Sequence, residues 1–208
     1  KQESFLTDKD RDADGNFAPL YGEVQELREK NYYFKLGRHQ QWLIDHIEAN
    51  PEFVAPDYRR NEVLGFLKNN TLEDLCISRP KERLAWGIPL PFDSNYVTYV
   101  WFDALTNYFS IPRARGEEAD LWPADIHVIG KDILKFHAVY WPIMLKAAGL
   151  ALPKQVLVHG WWQKDNQKMS KSIGNVVDPI TVIDDWGLDA FRYYVVRELA
   201  IGPDGNWT

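Results

Sequence analysis

Cysteine is nearly absent from this sequence: Cys76 is the single one among 208 residues. One thiol cannot form an intramolecular disulfide, and it cannot supply a cysteine-rich zinc site. The scarcity of cysteine is consistent with a reducing compartment, so we expect a cytoplasmic protein. No apolar run reaches the roughly 20 residues of a membrane-spanning helix, and no signal peptide opens the sequence. We therefore expect a soluble protein with no membrane partner and no structural zinc.

An excess of positive charge is also absent. The sequence has 24 Lys and Arg against 30 Asp and Glu, for a formal net charge of −6. This balance argues against a protein whose whole surface binds nucleic acid non-specifically. Basic residues are instead concentrated locally, as with Lys164, Lys168 and Lys171 in one loop. The length allows one large domain or two small ones with a substantial core.

Strands and helices alternate along the chain. Apolar and β-branched runs predict strands over 96–102, 125–129 and 156–158. Helical spacing predicts helices over 32–50, 56–68, 104–109, 132–148 and 188–199, and Asp178 before Pro179 predicts the N-cap of another. This alternation indicates an α/β fold with a parallel sheet. Three strands are too few for a complete doubly wound fold.

The strongest functional pattern is the pentapeptide KMSKS at 168–172. It follows the predicted strand 156–158 and an Asp165-Asn166 turn, so it lies beyond the carboxyl end of a strand, where open α/β sheets bind ligands. Lysine ammonium groups bind phosphate, and they stabilise a leaving pyrophosphate in a transition state. The loop therefore indicates chemistry on ATP. An isolated Lys-x-x-Lys would more often be a solvated surface loop.

A second candidate lies where the strand 125–129 meets the next helix. Gly130 allows a ligand to approach the backbone, and the free amides of the helix start attract negative groups. Asp132 offers a carboxylate that can accept hydrogen bonds from ribose hydroxyls. On local sequence alone, an ordinary residue at a helix N-terminus explains Asp132 equally well.

The KMSKS loop resembles the second signature of class I aminoacyl-tRNA synthetases. The flanking HGW at 159–161 and GNVVDP at 174–179 resemble the methionyl-tRNA synthetase family in particular. The resemblance implies the second half of a Rossmann-like catalytic domain over 51–177. It also implies a metal-free remnant of the connective-peptide insertion over 1–50, and over 178–208 the start of a helical connection towards an anticodon-binding domain. None of the five histidines fits the first class I signature, His-x-Gly-His, so we expect an internal fragment without the N-terminal half.

The resemblance further implies a methionine–tRNA ligase. Its substrates and partners would be methionine, ATP with Mg²⁺, and methionine tRNA, and no dedicated protein ligands for a metal are evident. The catalytic residues implied are Lys168, Ser170 and Lys171. The residues implied for ATP or the adenylate are Arg79, Gly130, Lys131, Asp132, His159, Trp161 and Met169. The residues implied for methionine are Trp101, Ala104, Leu105, Tyr108, Ile133 and His137, with Leu105 at a position where some family members carry proline.

Two alternatives stay open. One is another class I synthetase for an apolar amino acid, against which Trp101, Tyr108 and His137 argue, because a thioether packs well on aromatic edges. The other is a non-catalytic, synthetase-derived module that binds nucleotide or RNA. The missing first signature favours this second alternative for the isolated chain, which we expect to have little or no adenylation activity.

Overall fold

The computed structural model describes residues 11–12, 14–17, 29–170, 174–198 and 200–207. The strands are β1 (Tyr33–Phe34), β2 (Val54–Ala55), β3 (Leu75–Cys76), β4 (Ser78–Pro80), β5 (Pro89–Leu90), β6 (Asp93–Thr98), β7 (Ile126–Gly130), β8 (Gln155–His159), β9 (Trp162–Lys164), β10 (Gln167–Lys168) and β11 (Gly205–Trp207). The α-helices are α1 (Gln40–Ala49), α2 (Asp57–Asn69), α3 (Val100–Ala114), α4 (Glu118–Leu121), α5 (Trp141–Ala148), α6 (Pro179–Trp186) and α7 (Leu188–Glu198).

The predicted parallel sheet is present, with strand order β2-β8-β7. Its centre is apolar: Val54, Val156 and Val158 have no exposed surface, and Ile129 is 3% exposed. Helices α1 and α2 belong to the same hydrophobic core, through residues such as Leu43. Burial alternates along β7, where His127 and Ile129 are buried and Ile126 and Val128 are exposed, so within the described residues this edge strand packs on the core through one face.

One of the three predicted strands does not belong to this sheet. The prediction over 96–102 corresponds to β6, which ends at Thr98 and lies in an antiparallel sheet of order β4-β6-β5. Its expected place is taken by Val54–Ala55, which is too short for periodicity to reveal. Helix α3 then begins at Val100 instead of residue 104, so Trp101 is helical. The aromatic and β-branched composition of residues 100–102 favours a strand. In the structure these residues instead begin the helix that packs Leu105 into the core.

The other helix predictions need smaller corrections. The helix predicted over 32–50 starts later, with a 3₁₀ turn at Leu36–His39 that leads into α1 at Gln40, because Tyr33–Phe34 pairs as a strand with Leu75–Cys76. The helix predicted over 132–148 is continuous but changes pitch: a 3₁₀ turn at Lys131–Ile133, a π turn at Phe136–Tyr140, and then α5. It ends as predicted, with Gly149 left-handed at φ +69°.

The chain beyond β8 forms a small second sheet of order β10-β9-β11. Asp165 and Asn166 both have positive φ, 54° and 58°, and they form the tight turn between β9 and β10 that the sequence predicts. Asp178 accepts a hydrogen bond from the Ile180 amide and caps α6, also as predicted. Within the described part of the chain, no helix combines the length and apolar character needed to cross a bilayer.

Candidate active site

The carboxyl ends of β7 and β8 form a rim at which Gly130 and His159 are register partners. A Cβ at position 130 would lie 2.7 Å from Oδ1 of Asp132, so a side chain there would displace this carboxylate. The Asp132 carboxylate therefore folds over the strand end. The indole N–H of Trp161 donates to the same Oδ1 over 3.2 Å, so a carboxylate and an aromatic ring are fixed together at the rim.

Two ammonium groups lie on the ring of Trp161. Nζ of Lys131 is 4.1 Å and Nζ of Lys168 is 3.9 Å from a ring centroid of Trp161, within the range of cation–π attraction. Lys131 also forms a 2.7 Å ion pair with Asp204. The structure thus brings together four of the residues predicted for ATP chemistry, namely Lys131, Asp132, Trp161 and Lys168. His159 lies at the same rim, and its Nδ1–H donates to the Gly160 carbonyl over 2.7 Å.

The side chain of Asn175 braces the described part of the lysine loop. Asn175 accepts from the Ser170 amide over 2.8 Å and donates to the Lys168 carbonyl over 3.2 Å. The Gly174 amide closes the turn on the Ser170 carbonyl at 3.0 Å, with φ of +75° at Gly174. Lys168 is exposed, whereas Ser170 and the predicted Met169 are half-buried. The predicted catalytic Lys171 lies outside the described residues.

The residues predicted for methionine come from two neighbouring helical segments. Nε2 of His137 is 2.9 Å from the hydroxyl of Tyr108, and Nδ1 is 3.0 Å from the carbonyl of Ile133. A carbonyl only accepts, so Nδ1 carries the proton and Nε2 accepts from Tyr108. His137 is 2% exposed, and burial lowers its pKa. Burial also raises the pKa of Tyr108. Both groups are therefore neutral at pH 7.

Helix α3 carries the residues predicted for methionine that precede Ile133, and they lie on one face of the helix. Trp101, Ala104, Leu105 and Tyr108 follow the i, i+3, i+4, i+7 spacing of a helix stripe. Trp101 stacks on Phe136 of the π turn, with centroids 4.0 Å apart and planes at 20°. Leu105 is 2% exposed and packs in a hydrophobic cluster with Trp141 and Met144. The arrangement is an aromatic-lined region with one polar pair, chemically suited to an apolar side chain.

Comparison with known proteins decides the family. Residues 15–208 match the sequence profile of the family described as "tRNA synthetases class I (M)". The chain belongs to the methionyl-tRNA synthetase family. The resemblance inferred from the lysine loop and its flanks is thereby confirmed.

Relatives in this family are similar over nearly the whole chain. The methionine–tRNA ligase of Rickettsia felis is 45% identical over 210 residues, which cover 100% of this chain and 40% of that protein. The ligase of Clostridium perfringens is 47% identical over 207 residues, covering 98% of this chain and 32% of that protein. The chain thus spans 40% or less of the length of these two relatives.

Solved structures of the family share the fold. Mycobacterium tuberculosis methionyl-tRNA synthetase bound by methionyl-adenylate superposes with a TM-score of 0.78 at 44% identity, covering 86% of this chain and 35% of that one. Its free state gives a TM-score of 0.76 at 40% identity, with the same coverage. The α/β class I synthetase architecture predicted from the sequence is confirmed.

Sequence reasoning missed three residues of this region: Phe136, His127 and Trp141. The indole N–H of Trp141 donates to Nε2 of His127 over 3.2 Å, and the ring of His127 lies 4.3 Å from that of Tyr108. Burial, with a smaller contribution from the charge of nearby His137, lowers the pKa of His127 to about 4. A signal for His127 was available, because it lies two residues before Ile129 along β7 and therefore shares the inward face of the strand with it.

Arg79 is the predicted ATP residue whose surroundings differ most from expectation. It is 6% exposed, so it is not a solvated surface cation. One guanidinium nitrogen donates to the Ser78 carbonyl over 2.9 Å, and the guanidinium lies 4.4 Å above the ring of Tyr99. These contacts tie Arg79 to the start of α3, next to Trp101. Its role towards ATP stays a prediction.

Proposed function

We propose that this chain carries part of the catalytic domain of a methionine–tRNA ligase. A carboxylate oxygen of methionine attacks the α-phosphorus of ATP, and the bond to the bridging oxygen of pyrophosphate breaks. Methionyl-adenylate and pyrophosphate are formed. A terminal ribose hydroxyl of tRNA then attacks the methionyl carbonyl, and AMP leaves. Charge stabilisation and positioning are the main demands of the first step.

The observation that carries this proposal is the continuity of the two candidate sites. One helical segment begins with Lys131 and Asp132 at the rim and reaches His137 less than two turns later. A ligand with a nucleotide end and an apolar amino-acid end therefore has partners for both ends on one element. The solved relative named above is bound by methionyl-adenylate, which is a ligand of that kind.

The nucleotide half of the site is assigned from charge and geometry. Gly130 and Asp132 would receive the ribose. The indole N–H of Trp161 holds the Asp132 carboxylate at the strand end, where its oxygens can accept from ribose hydroxyls. His159 and Trp161 would border the adenine. Lys131 and Lys168 would face the phosphates, together with Ser170, Met169 and Lys171 of the signature loop. ATP would enter as its Mg²⁺ complex, with the ion held by phosphate oxygens.

The amino-acid half is assigned from the α3 face and the π turn. Trp101, Ala104, Leu105 and Ile133 would enclose the methionine side chain. The Tyr108–His137 pair would border the thioether sulfur, a weak acceptor, and the Tyr108 hydroxyl would have to turn from Nε2 of His137 to donate to it. The family match disfavours a synthetase for another apolar amino acid.

The assignments of segments and partners belong to the same proposal. Residues 1–50 would be the end of the connective-peptide insertion, 51–177 the second half of the catalytic domain, and 178–208 the start of the helical connection. The N-terminal half, the anticodon-binding domain and methionine tRNA would complete the enzyme, in the cytoplasm.

Pyrophosphate exchange in the full-length ligase containing this chain tests the function. We expect labelled pyrophosphate to enter ATP with methionine and at least about 100-fold less with leucine, a ratio within reach of a site built around specific contacts. Preference for leucine would indicate another class I synthetase. Nucleotide or RNA binding without exchange would indicate a non-catalytic module. The isolated chain should show little or no exchange.

A further inference from the structure

Asp204 is an acidic residue to which sequence reasoning gave no role. It directly precedes β11, and it accepts three hydrogen bonds from residues at or near the rim. Oδ1 accepts from the Trp161 amide over 2.9 Å. Oδ2 accepts from Nζ of Lys131 over 2.7 Å and from Nε2 of Gln163 over 3.0 Å. Two of these donors, Lys131 and Trp161, are residues that we assign to ATP.

The segment around Asp204 is built onto the rim by the backbone. The Gly205 amide donates to the Trp161 carbonyl over 2.9 Å, and β11 pairs in parallel with β9. Gly160 is required at this contact, because a Cβ there would collide with the carbonyl of Pro203. The side chain of Asn206 accepts from the Asn166 amide over 2.9 Å, at the turn of the hairpin that carries Lys168. The position of Asp204 is therefore set by well-defined packing.

The negative charge of Asp204 also lies close to two positive charges. Two ammonium groups, those of Lys131 and Lys168, share the ring of Trp161 and repel each other. The hydrogen bond from Lys131, more than any other contact, lowers the pKa of Asp204, so the carboxylate is ionised at neutral pH. It balances one of the two cations and holds Lys131 by a charge-assisted bond, which is stronger than a neutral one.

We infer that Asp204 is a positioning residue for ATP activation: its carboxylate fixes Lys131 and the Trp161 backbone at the rim and so sets where the nucleotide binds. Asp204 acts through these two residues and does not touch the reacting atoms. This inference rests on the proposed function. Since the methionine residues lie on α3 and the π turn, loss of Asp204 should affect ATP and spare methionine.

The test uses Asp204→Asn in the full-length ligase. Asparagine keeps an oxygen for the Trp161 amide and removes the charge that faces Lys131. We expect the KM for ATP in pyrophosphate exchange to rise about tenfold, the usual effect of losing one charged hydrogen bond. The KM for methionine should stay within about twofold. The matched control is Asp125→Asn, which removes the partner of Lys154 at the opposite end of the same two strands and should leave both constants unchanged.

A double-mutant cycle separates positioning from a general structural role. In a Lys131→Met background, Asp204→Asn should add little further rise in the KM for ATP, because the partner is already gone. Three results would overturn the inference: an unchanged or lower KM for ATP in Asp204→Asn, an equal rise in KM for both substrates, or full additivity with Lys131→Met. Each of them would leave the proposed function intact. A wild-type enzyme without methionine-dependent exchange would overturn both.

Discussion

Acidification should destabilise the chain through His127. This residue is 5% exposed, and its pKa falls from the ordinary 6.5 to about 4 in the folded protein. The unfolded chain takes up a proton near pH 6.5, whereas the folded chain resists it until about pH 4. Between these values the unfolded state binds more protons, so the free energy of unfolding decreases as the pH falls.

The size of the effect follows from the shift. The difference of 6.5 − 4 = 2.5 pKa units corresponds to a total of about 3 kcal/mol. About 2 kcal/mol of this is lost between pH 7 and pH 5, since the folded state is still almost unprotonated at pH 5. His137 contributes in the same direction, because burial lowers its pKa too. A variant of His127 alone is therefore needed to isolate its share.

Urea unfolding of the chain at pH 7, 6 and 5 measures this share. His127→Gln keeps an acceptor for the Trp141 indole N–H and removes the titrating group. We expect the variant to lose about 2 kcal/mol less than the wild type between pH 7 and pH 5. His39→Gln, at a half-buried histidine on the turn before α1, controls for the substitution itself. Parallel stability curves for the wild type and His127→Gln would refute the reasoning.

Three further predictions concern the residues proposed for methionine, the rim and metal content. His137→Ala in the full-length ligase should raise the KM for methionine about tenfold or more and weaken selection against leucine, because the Tyr108 hydroxyl loses its partner; unchanged selectivity would mean that His137 is only structural. Gly160→Ala should destabilise the chain by about 1–3 kcal/mol in urea unfolding, because the new methyl meets the Pro203 backbone, whereas Gly65→Ala in α2, where a Cβ meets nothing within 4 Å, should not. Treatment with a chelator should leave the thermal midpoint unchanged, because one cysteine cannot build a structural zinc site; a lowered midpoint would contradict this.

Local chemistry made parts of the fold predictable from sequence. Gly149 ends a helix, Asp178 begins one, and the Asp165–Asn166 turn makes a hairpin, because each depends on a backbone conformation that few residues adopt. The two-residue strand Val54–Ala55 has no such signal, and only its pairing with β8 defines it. The sequence also predicts the start of α3 four residues too late, because tertiary packing overrides the strand-like composition of this segment.

Parts of the candidate site that form a contiguous motif could be predicted from the sequence. Parts whose residues are far apart along the chain could not. The lysine loop and the Gly130–Asp132 corner are each contiguous, and the structure joins them at Trp161. Asp204 is 73 residues from its partner Lys131, and no spacing rule connects them. Trp141 and His127 lie on a helix and a strand, so their hydrogen bond appears only in three dimensions.

Rapid-quench measurement of methionyl-adenylate formation by Lys168→Ala tests the central claim that an ammonium at the rim stabilises the departing pyrophosphate. The full-length ligase would be compared with Lys164→Ala, which removes a lysine from the neighbouring strand of the same hairpin. We predict that Lys168→Ala slows the chemical step by about 100-fold or more, as expected for loss of one transition-state stabiliser, with methionine affinity within about twofold. An unchanged rate of adenylate formation, with only weaker ground-state binding of ATP, would contradict the account.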